Sequence, residues 1–466
     1  MTEPVTFILN DSPTSESLPP GTLVLDYLRD RRRLVGTKEG CREGDCGACV
    51  VLVGELTGDS VRYRPVTSCL MPVCELHGKH LVTIEGLRTS DLSTVQRSIV
   101  ETGGSQCGFC TPGIVVSLTG SLMEATRPLD APTVKTALGG HLCRCTGYRS
   151  LKATLSDLAA TPTGVAALVR AGELPEWFSS IPSRLKALQS ANGRLSVGDG
   201  ALVVAGGTDL YVQKGDAVAA DPDVVVLGNR PDLRGISETE SHLVIGPSTT
   251  FEEMAESDAV RGVVPRIREY MDDIASLQIR NRATVGGNLV NASPIGDVTI
   301  LLLALDTTLV LGGRRVPLKE FYLGYKKLDL KPGELVTSIH VRKPPEGTGV
   351  SWEKVSKRRA LDIASVNSAL TVRAAGATIE EATLTVGGVA PVPLRCTRTS
   401  EWLRGQPVTT DTVLQAAEEM QEEIAPISDV RGTAAYKRLL ARQLLWAHFV
   451  NLFPEQISVE ALYAER

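Results

Sequence analysis

The chain has 466 residues, too many for one ordinary domain, and its 42% apolar and 22% charged residues are the composition of a folded globular protein. A formal net charge of −5 removes the electrostatic case for nucleic-acid binding, which needs a concentrated basic surface. The longest apolar run, Val298 to Leu311, is broken by Asp306 and too short to span a bilayer. Residues 1–11 hold no basic segment leading into an apolar stretch, so a cytoplasmic chain without membrane contact is expected.

Residues 5–9 read as a strand and 11–21 as a turn-rich stretch. Apolar residues at helical spacing over 23–34 end in a basic turn of Arg29, Arg31, Arg32 and Arg33, a solvated helix end. Short strands at 50–53 and 81–84 complete a strand-rich unit by about residue 87. Three helices follow at 94–100, 112–125 and 133–138; Thr111 and Pro112 supply a start signal, and Gly139 and Gly140 a stop. They define a small helical unit over 88–160. The proline- and glycine-marked residues 161–190 read as a linker. From about residue 195, short β-rich runs and glycine-rich turns dominate, at 202–207, 224–227, 243–246 and 284–288. Residues 191–345 form this unit, and 346–466 the last one, with strands at 369–372 and 382–386 and helices at 411–423 and 433–452. The expected class is a multidomain α+β protein.

Nine of the ten cysteines lie between Cys41 and Cys145. In a reducing compartment such clustering points to metal binding or redox chemistry rather than disulfides. Cys41, Cys46, Cys49 and Cys69 spell Cys-x4-Cys-x2-Cys with a fourth cysteine after nineteen intervening residues, the plant-type [2Fe–2S] spacing. Gly40, Gly44 and Gly47 let a tight loop wrap a cluster and expose N–H groups to its sulfurs. A structural zinc site is the competing reading, although zinc favours paired knuckles. The second set is Cys107, Cys110, Cys143 and Cys145. Here spacing alone does not choose between Fe–S and zinc, but Cys110 directly precedes a helix start, whose positive dipole end favours an anionic cluster. Cys74 and Cys396 are left over and read as buried, inert thiols.

Two glycine pairs stand out later. Val203, Val204, Ala205, Gly206, Gly207, Thr208, Asp209 and Leu210 form a strand-then-loop whose N–H groups and Thr208 hydroxyl suit a pyrophosphate. Thr284, Val285, Gly286, Gly287 and Asn288 repeat the device, and Asp297 follows as a carboxylate for ribose hydroxyls. There is no Gly-x-Gly-x-x-Gly, so a Rossmann dinucleotide site is not supported.

Glu-Gly-Cys-x4-Cys-Gly-Ala-Cys at 39–49 resembles the first cluster motif of the molybdenum hydroxylases of the xanthine dehydrogenase type, and Gln-Cys-Gly-Phe-Cys-Thr-Pro-Gly at 106–113 with Leu-Cys-Arg-Cys-Thr-Gly-Tyr at 142–148 resembles their second. The later glycine loops resemble that family's FAD domain. The resemblance covers nearly the whole chain and implies a β-grasp plant-type ferredoxin-like domain (1–87), a helical [2Fe–2S] domain (88–160), a vanillyl-alcohol-oxidase-like FAD-binding domain (191–345) and an α+β C-terminal flavoprotein domain (346–466). It implies FAD contacts from residues 203–210, 284–288, Asp297 and Lys354. Ile274 stands where many members carry a phenylalanine beside the flavin ring. The loop 357–362 is either solvated charge or, as in the resembling dehydrogenases, a modulator of NAD access, and the pattern at 428–437 reads as packing. The implied protein is an electron-transfer subunit with two [2Fe–2S] clusters and FAD. Electrons would come from a molybdopterin centre on a large partner subunit, in a heterotetramer of two small and two large subunits, and leave to NAD as xanthine becomes urate in purine catabolism. No site residue need do acid–base catalysis. An equivalent subunit acting on an aldehyde or N-heterocycle, and a stand-alone NADH-oxidising iron–sulfur flavoprotein, are the alternatives.

Overall fold

A computed structural model of the chain describes residues 4–188, 201–228 and 230–464. Residues 1–3, the end of the expected linker (189–190) and the first residues of the expected FAD domain (191–200) lie outside them. The chain divides into two compact units. One holds 1–230 together with Ser276–Ala283, and the other holds Pro231–Ala275 with Thr284–Arg466.

The first unit is built on a five-stranded sheet in the order Ser12–Glu16, Val5–Leu9, His80–Val82, Val50–Thr57, Ser60–Thr67. Val5–Leu9 and His80–Val82 run parallel and the other neighbours antiparallel. Alternation along Val50–Thr57 serves two cores at once. Val51 and Val53 face Phe7, Leu9, Val24 and Leu28, whereas Val50 and Leu52 face the helix Thr111–Glu124 through Ile114 and Leu118. That helix is apolar nearly all round and is accordingly buried. The expected helix at 23–34 is present but short: one α turn, Val24–Asp26, widens into a π turn, Tyr27–Arg31. The strands Ser12–Glu16 and Ser60–Thr67 sit at the two edges of the sheet, where polar residues are tolerated, and for that reason they lack a strand-like apolar pattern.

The stretch expected to be a linker is packed structure instead. It forms the helices Val165–Arg170 and Ile181–Leu188 around the turn Glu176–Ser180. Leu168, Leu174 and Phe178 join the helical core, and Ile181 and Leu185 close over Ile8. Its prolines mark element starts: Pro175 precedes the Glu176 turn and Pro182 is the second residue of its helix. Two parallel strands, Val203–Val204 and Val225–Val226, with the helix Leu210–Ala220 between them in sequence, complete this unit.

Among the described residues, the second unit holds two larger antiparallel sheets and a two-stranded antiparallel pair, Tyr322–Gly324 with Lys327–Leu328. One has the order Arg314–Pro317, Thr308–Leu311, Val336–Arg342, His242–Ile245, Ile236–Glu238. The other is a meander of Thr348–Val355, Val366–Ala375, Thr378–Gly387 and Leu394–Cys396. The helices Thr410–Glu423 and Ala434–Leu452 share an apolar core with this meander. The buried helix Asp297–Ala304 is tied to it by the Thr385 hydroxyl, which donates to the Ile300 carbonyl at 2.9 Å. Among the described residues, no helix is long and apolar enough to cross a membrane.

Candidate functional site

Cys41, Cys46 and Cys49 lie on the loop that enters the strand Val50–Thr57, and Cys69 lies in the turn Ser68–Leu70 that follows the strand Ser60–Thr67. Their thiols meet in twos, Cys41 with Cys46 and Cys49 with Cys69. The Cys41 thiol is pulled down by the Cys46 thiol and, against burial, by the N–H groups of Glu43 and Cys46 at 3.3 and 3.4 Å. N–H groups aimed at sulfur are what a thiolate ligand needs.

The second quartet repeats the two-by-two contact, Cys107 with Cys145 and Cys110 with Cys143. Cys110 caps the start of the helix Thr111–Glu124, and Cys143 and Cys145 lie in the loop after the helix Ala131–Leu138. The Cys143 N–H donates to the Tyr148 hydroxyl at 2.9 Å, which in turn donates to the His141 carbonyl at 2.8 Å, so the loop is internally braced. Cys107 and Cys145 are exposed, whereas Cys49 and Cys69 are buried. Among the described residues, no three His, Cys, Asp or Glu side chains converge on a single-ion site. Pairs of thiols in contact, two pairs to a quartet, fit a two-iron cluster that takes two thiolates on each iron.

The quartets adjoin each other. The Leu142 N–H, next to Cys143, donates to the Cys46 carbonyl at 3.0 Å. A Cβ on Gly113 would stand 2.2 Å from the Gly47 carbonyl oxygen, so the helix start and the first loop touch backbone to backbone. Gly47 itself has φ +68°, a conformation that favours glycine. Beneath them His141 Nε2 meets the Ser117 hydroxyl at 2.7 Å, and Gln278 donates to Ser117 at 3.0 Å and to the Ala137 carbonyl at 3.1 Å. Burial pushes His141 down to about 4, so it is neutral near pH 7.

The first quartet also adjoins the loop at 203–210. Cys49, Cys69 and Leu70 share an apolar cluster with Val204 and Tyr211. Gly207, at φ +72°, would place a Cβ 2.7 Å from the Tyr211 ring and 3.1 Å from the Leu70 carbonyl oxygen. The Val204 carbonyl accepts from Leu227 at 2.8 Å, which anchors the loop's entry. Among the described residues, the N–H groups of Gly206, Gly207 and Thr208 have no protein acceptor, although Gly206 is buried. Consecutive unengaged N–H groups ahead of the helix Leu210–Ala220 fit an anionic phosphate.

The second glycine pair behaves differently. Residues 284–288 do not form a strand and turn but open the helix Val285–Val290, capped by Thr284, whose hydroxyl accepts from Gly287 at 3.1 Å. The Val285, Gly286 and Asn288 N–H groups donate to the carbonyls of Thr249, Pro247 and Thr284. The expected free donors are thus already engaged, and any ligand contact from this loop is through other atoms. Lys354 and Asp297 are brought together as a buried ion pair at 2.8 Å. Lys354 Nζ also donates to the Asp273 carbonyl at 3.1 Å, and Asn367 donates to the other Asp297 oxygen at 2.6 Å. Asn367 has no sequence motif to announce it; only its place on the strand Val366–Ala375 opposite Asp297 does. Ile274 is buried, and Arg359 of the loop 357–362 pairs with Asp273 at 2.8 Å. In the pattern at 428–437, Lys437 is buried against Asp429 at 2.6 Å, a packing role. Burial pushes the Cys74 thiol up to about 12 and the Cys396 thiol well up, so both are inert.

Four family models match in succession: the 2Fe-2S iron-sulfur cluster binding domain at 7–74, the [2Fe-2S] binding domain at 83–155, the FAD binding domain in molybdopterin dehydrogenase at 179–344 and the CO dehydrogenase flavoprotein C-terminal domain at 353–451. The chain is 28% identical to a xanthine dehydrogenase of Drosophila pseudoobscura pseudoobscura over 100% of its own length and 41% of that protein's. It is 27% identical to aldehyde oxidase 1 of Bos taurus, over 94% of this chain and 38% of the relative. A solved chain of the carbon monoxide dehydrogenase from Hydrogenophaga pseudoflava is 31% identical with a TM-score of 0.51, over 54% of this chain and 91% of that one. The chain thus spans about two-fifths of the curated relatives it matches. Two cysteine quartets and a flavin-binding domain define an iron–sulfur flavoprotein oxidoreductase. The chain belongs to the molybdenum hydroxylase family, of which it carries the [2Fe–2S] and FAD portion.

Proposed function

We propose that this chain is the electron-transfer subunit of a xanthine dehydrogenase, working with a molybdopterin-binding large subunit in a cytoplasmic heterotetramer of two small and two large subunits. The overall reaction is xanthine, NAD and water to urate and NADH, a step of purine catabolism. Cys41, Cys46, Cys49 and Cys69 hold one [2Fe–2S] cluster, and Cys107, Cys110, Cys143 and Cys145 hold the other. Residues 203–210 and 284–288, with Asp297 and Lys354, contact FAD. The first sheet with its short helix is then a β-grasp ferredoxin domain, and the flavin-binding portion is of the vanillyl-alcohol-oxidase-like kind. When bound, these groups accept electrons singly at iron and release them in pairs as hydride from the flavin.

One observation carries this reading. The first cysteine loop touches the second through Leu142 and Cys46, and touches the 203–210 loop through Leu70 and Gly207. That order supports reading the first quartet as the middle station between the second quartet, of which Cys107 and Cys145 are exposed, and a flavin loop. The chain's own side chains orient sulfur ligands, keep Cys49 and Cys69 dry, and present peptide N–H groups; none is asked to move a proton. The 27% match to an aldehyde oxidase and the 31% match to a carbon monoxide dehydrogenase favour a second reading, an equivalent subunit serving another substrate. The test is purification from native cells with metal analysis and a substrate panel. About four irons and one FAD per chain, a co-purifying molybdenum chain and NAD-linked xanthine oxidation are expected. Oxidation of an aldehyde or N-heterocycle in place of xanthine selects the second reading, and a zinc-loaded, colourless chain overturns both.

A further inference from the structure

Glu75 and Arg282 stand 207 residues apart in sequence and form a bidentate ion pair at 3.0 and 3.1 Å. Their side chains are only 6% and 4% exposed. A pair taken this far out of water is a poor source of stability in itself, and removing one partner strands the other charge. Its geometry suggests another use. Arg282 Nη2 donates a further hydrogen bond, 2.7 Å long, to the carbonyl oxygen of Gly206. A trans peptide is planar, with its C=O and N–H pointing opposite ways. Holding the Gly206 oxygen therefore fixes the direction of the Gly207 N–H, one of the three donors on that loop without an acceptor among the described residues. The loop also packs closely against the Arg282 backbone, since a Cβ on Gly206 would lie 2.0 Å from the Arg282 carbonyl oxygen.

We infer that Arg282, braced by Glu75, is the positioning residue that sets the Gly206–Gly207 peptide for the pyrophosphate of the flavin dinucleotide. This rests on the reading of residues 203–210 as an FAD contact. Glu75 balances the guanidinium charge, so Arg282 acts by orienting a peptide and not by attracting the anion. Nothing local in the sequence announces either residue. Glu75 lies just beyond the first cysteine motif, and Arg282 just before the second glycine pair, in the Ser276–Ala283 segment that belongs to the first unit.

Three variants of the full chain test this: Glu75→Gln, Arg282→Lys, and the double Glu75→Leu with Arg282→Met, which fills the volume without stranding a charge. FAD affinity is read by flavin retention on dilution, beside iron content and the two [2Fe–2S] EPR signals. The expected result is FAD binding weakened about tenfold or more in all three, with iron and both EPR signals unchanged. FAD affinity within twofold of the parent overturns the inference, and so does parallel loss of iron and flavin, which would make the pair a general brace. Gly206→Val separates the two levels. If it retains flavin, the loop reading itself fails; if it loses flavin while the pair variants keep theirs, only the role of Arg282 falls.

Discussion

The Leu142 N–H donates to the Cys46 carbonyl at 3.0 Å, so a residue adjoining one cysteine of the second quartet is hydrogen-bonded to a cysteine of the first. The two cysteine motifs are thereby one structural object, although each quartet pairs its own thiols. If each quartet holds its own cluster within this shared frame, as proposed, a sharp expectation follows. Cys143→Ser should remove one of two distinct [2Fe–2S] EPR signals and lower iron from about four to about two per chain, with FAD still bound. Persistence of both signals would show that Cys143 is not a ligand.

The backbone contact between Gly113 and Gly47 has a different consequence. Gly113→Ala places a methyl group 2.2 Å from a carbonyl oxygen that belongs to the loop between Cys46 and Cys49. Neither the helix start nor the loop is a flexible side-chain end, so one of them must shift, at a cost on the order of 1–3 kcal/mol. Because the shift displaces both motifs, iron should fall for both clusters together, unlike the selective loss in Cys143→Ser. Iron analysis and EPR on Gly113→Ala check this, and a variant with two unchanged signals would refute the contact.

The cysteine quartets stand out in the sequence because nine of the ten cysteines lie between Cys41 and Cys145 and the first four carry the plant-type [2Fe–2S] loop spacing. The helix Thr111–Glu124 was legible through its Pro start. Other parts were hidden for identifiable reasons. Pro175 and Pro182 looked like linker punctuation while they start elements whose apolar residues, Phe178, Ile181 and Leu185, are buried. The Gly286–Gly287 pair looked like a turn, but the Thr284 cap turns it into a helix start, which engages the N–H groups a phosphate would want. Glu75 with Arg282, and Asp297 with Lys354, are paired only by the tertiary fold.

The Lys354–Asp297 pair lends itself to a double-mutant cycle. Asp297 accepts from Lys354 at 2.8 Å and from Asn367 at 2.6 Å, and the Lys354 side chain is 3% exposed. Lys354→Met strands a largely buried carboxylate and should destabilise the second unit by roughly 3–5 kcal/mol. Combining it with Asp297→Leu removes the stranded charge and should recover a substantial part of that loss. Urea unfolding of the single and double variants measures the coupling. If the double variant loses as much as the sum of the two singles, the pair is not an energetic unit.

His80 gives the first unit a pH dependence of predictable sign. It is buried against Tyr63, Trp177 and Phe178, with Nδ1 2.7 Å from the Tyr63 hydroxyl and Nε2 2.8 Å from the Asn10 carbonyl. That network is satisfied by the neutral ring, Nε2–H donating and Nδ1 accepting. Burial, partly opposed by the Asn10 carbonyl, pushes His80 down to about 4 from 6.5. The unfolded chain therefore binds a proton that the folded chain refuses, and stability falls as pH drops from about 6.5 toward 4. The stabilisation is fully present above that window, and its loss amounts to roughly 3 kcal/mol at the lower end. Carboxylates titrate in the same range, so the clean readout is the difference between the parent and His80→Gln, which keeps a donor and an acceptor but does not titrate. The stability advantage of the parent over His80→Gln should shrink steadily below pH 6.5. A difference that stays constant from pH 7 to pH 4 would mean that His80 is not held neutral by the fold.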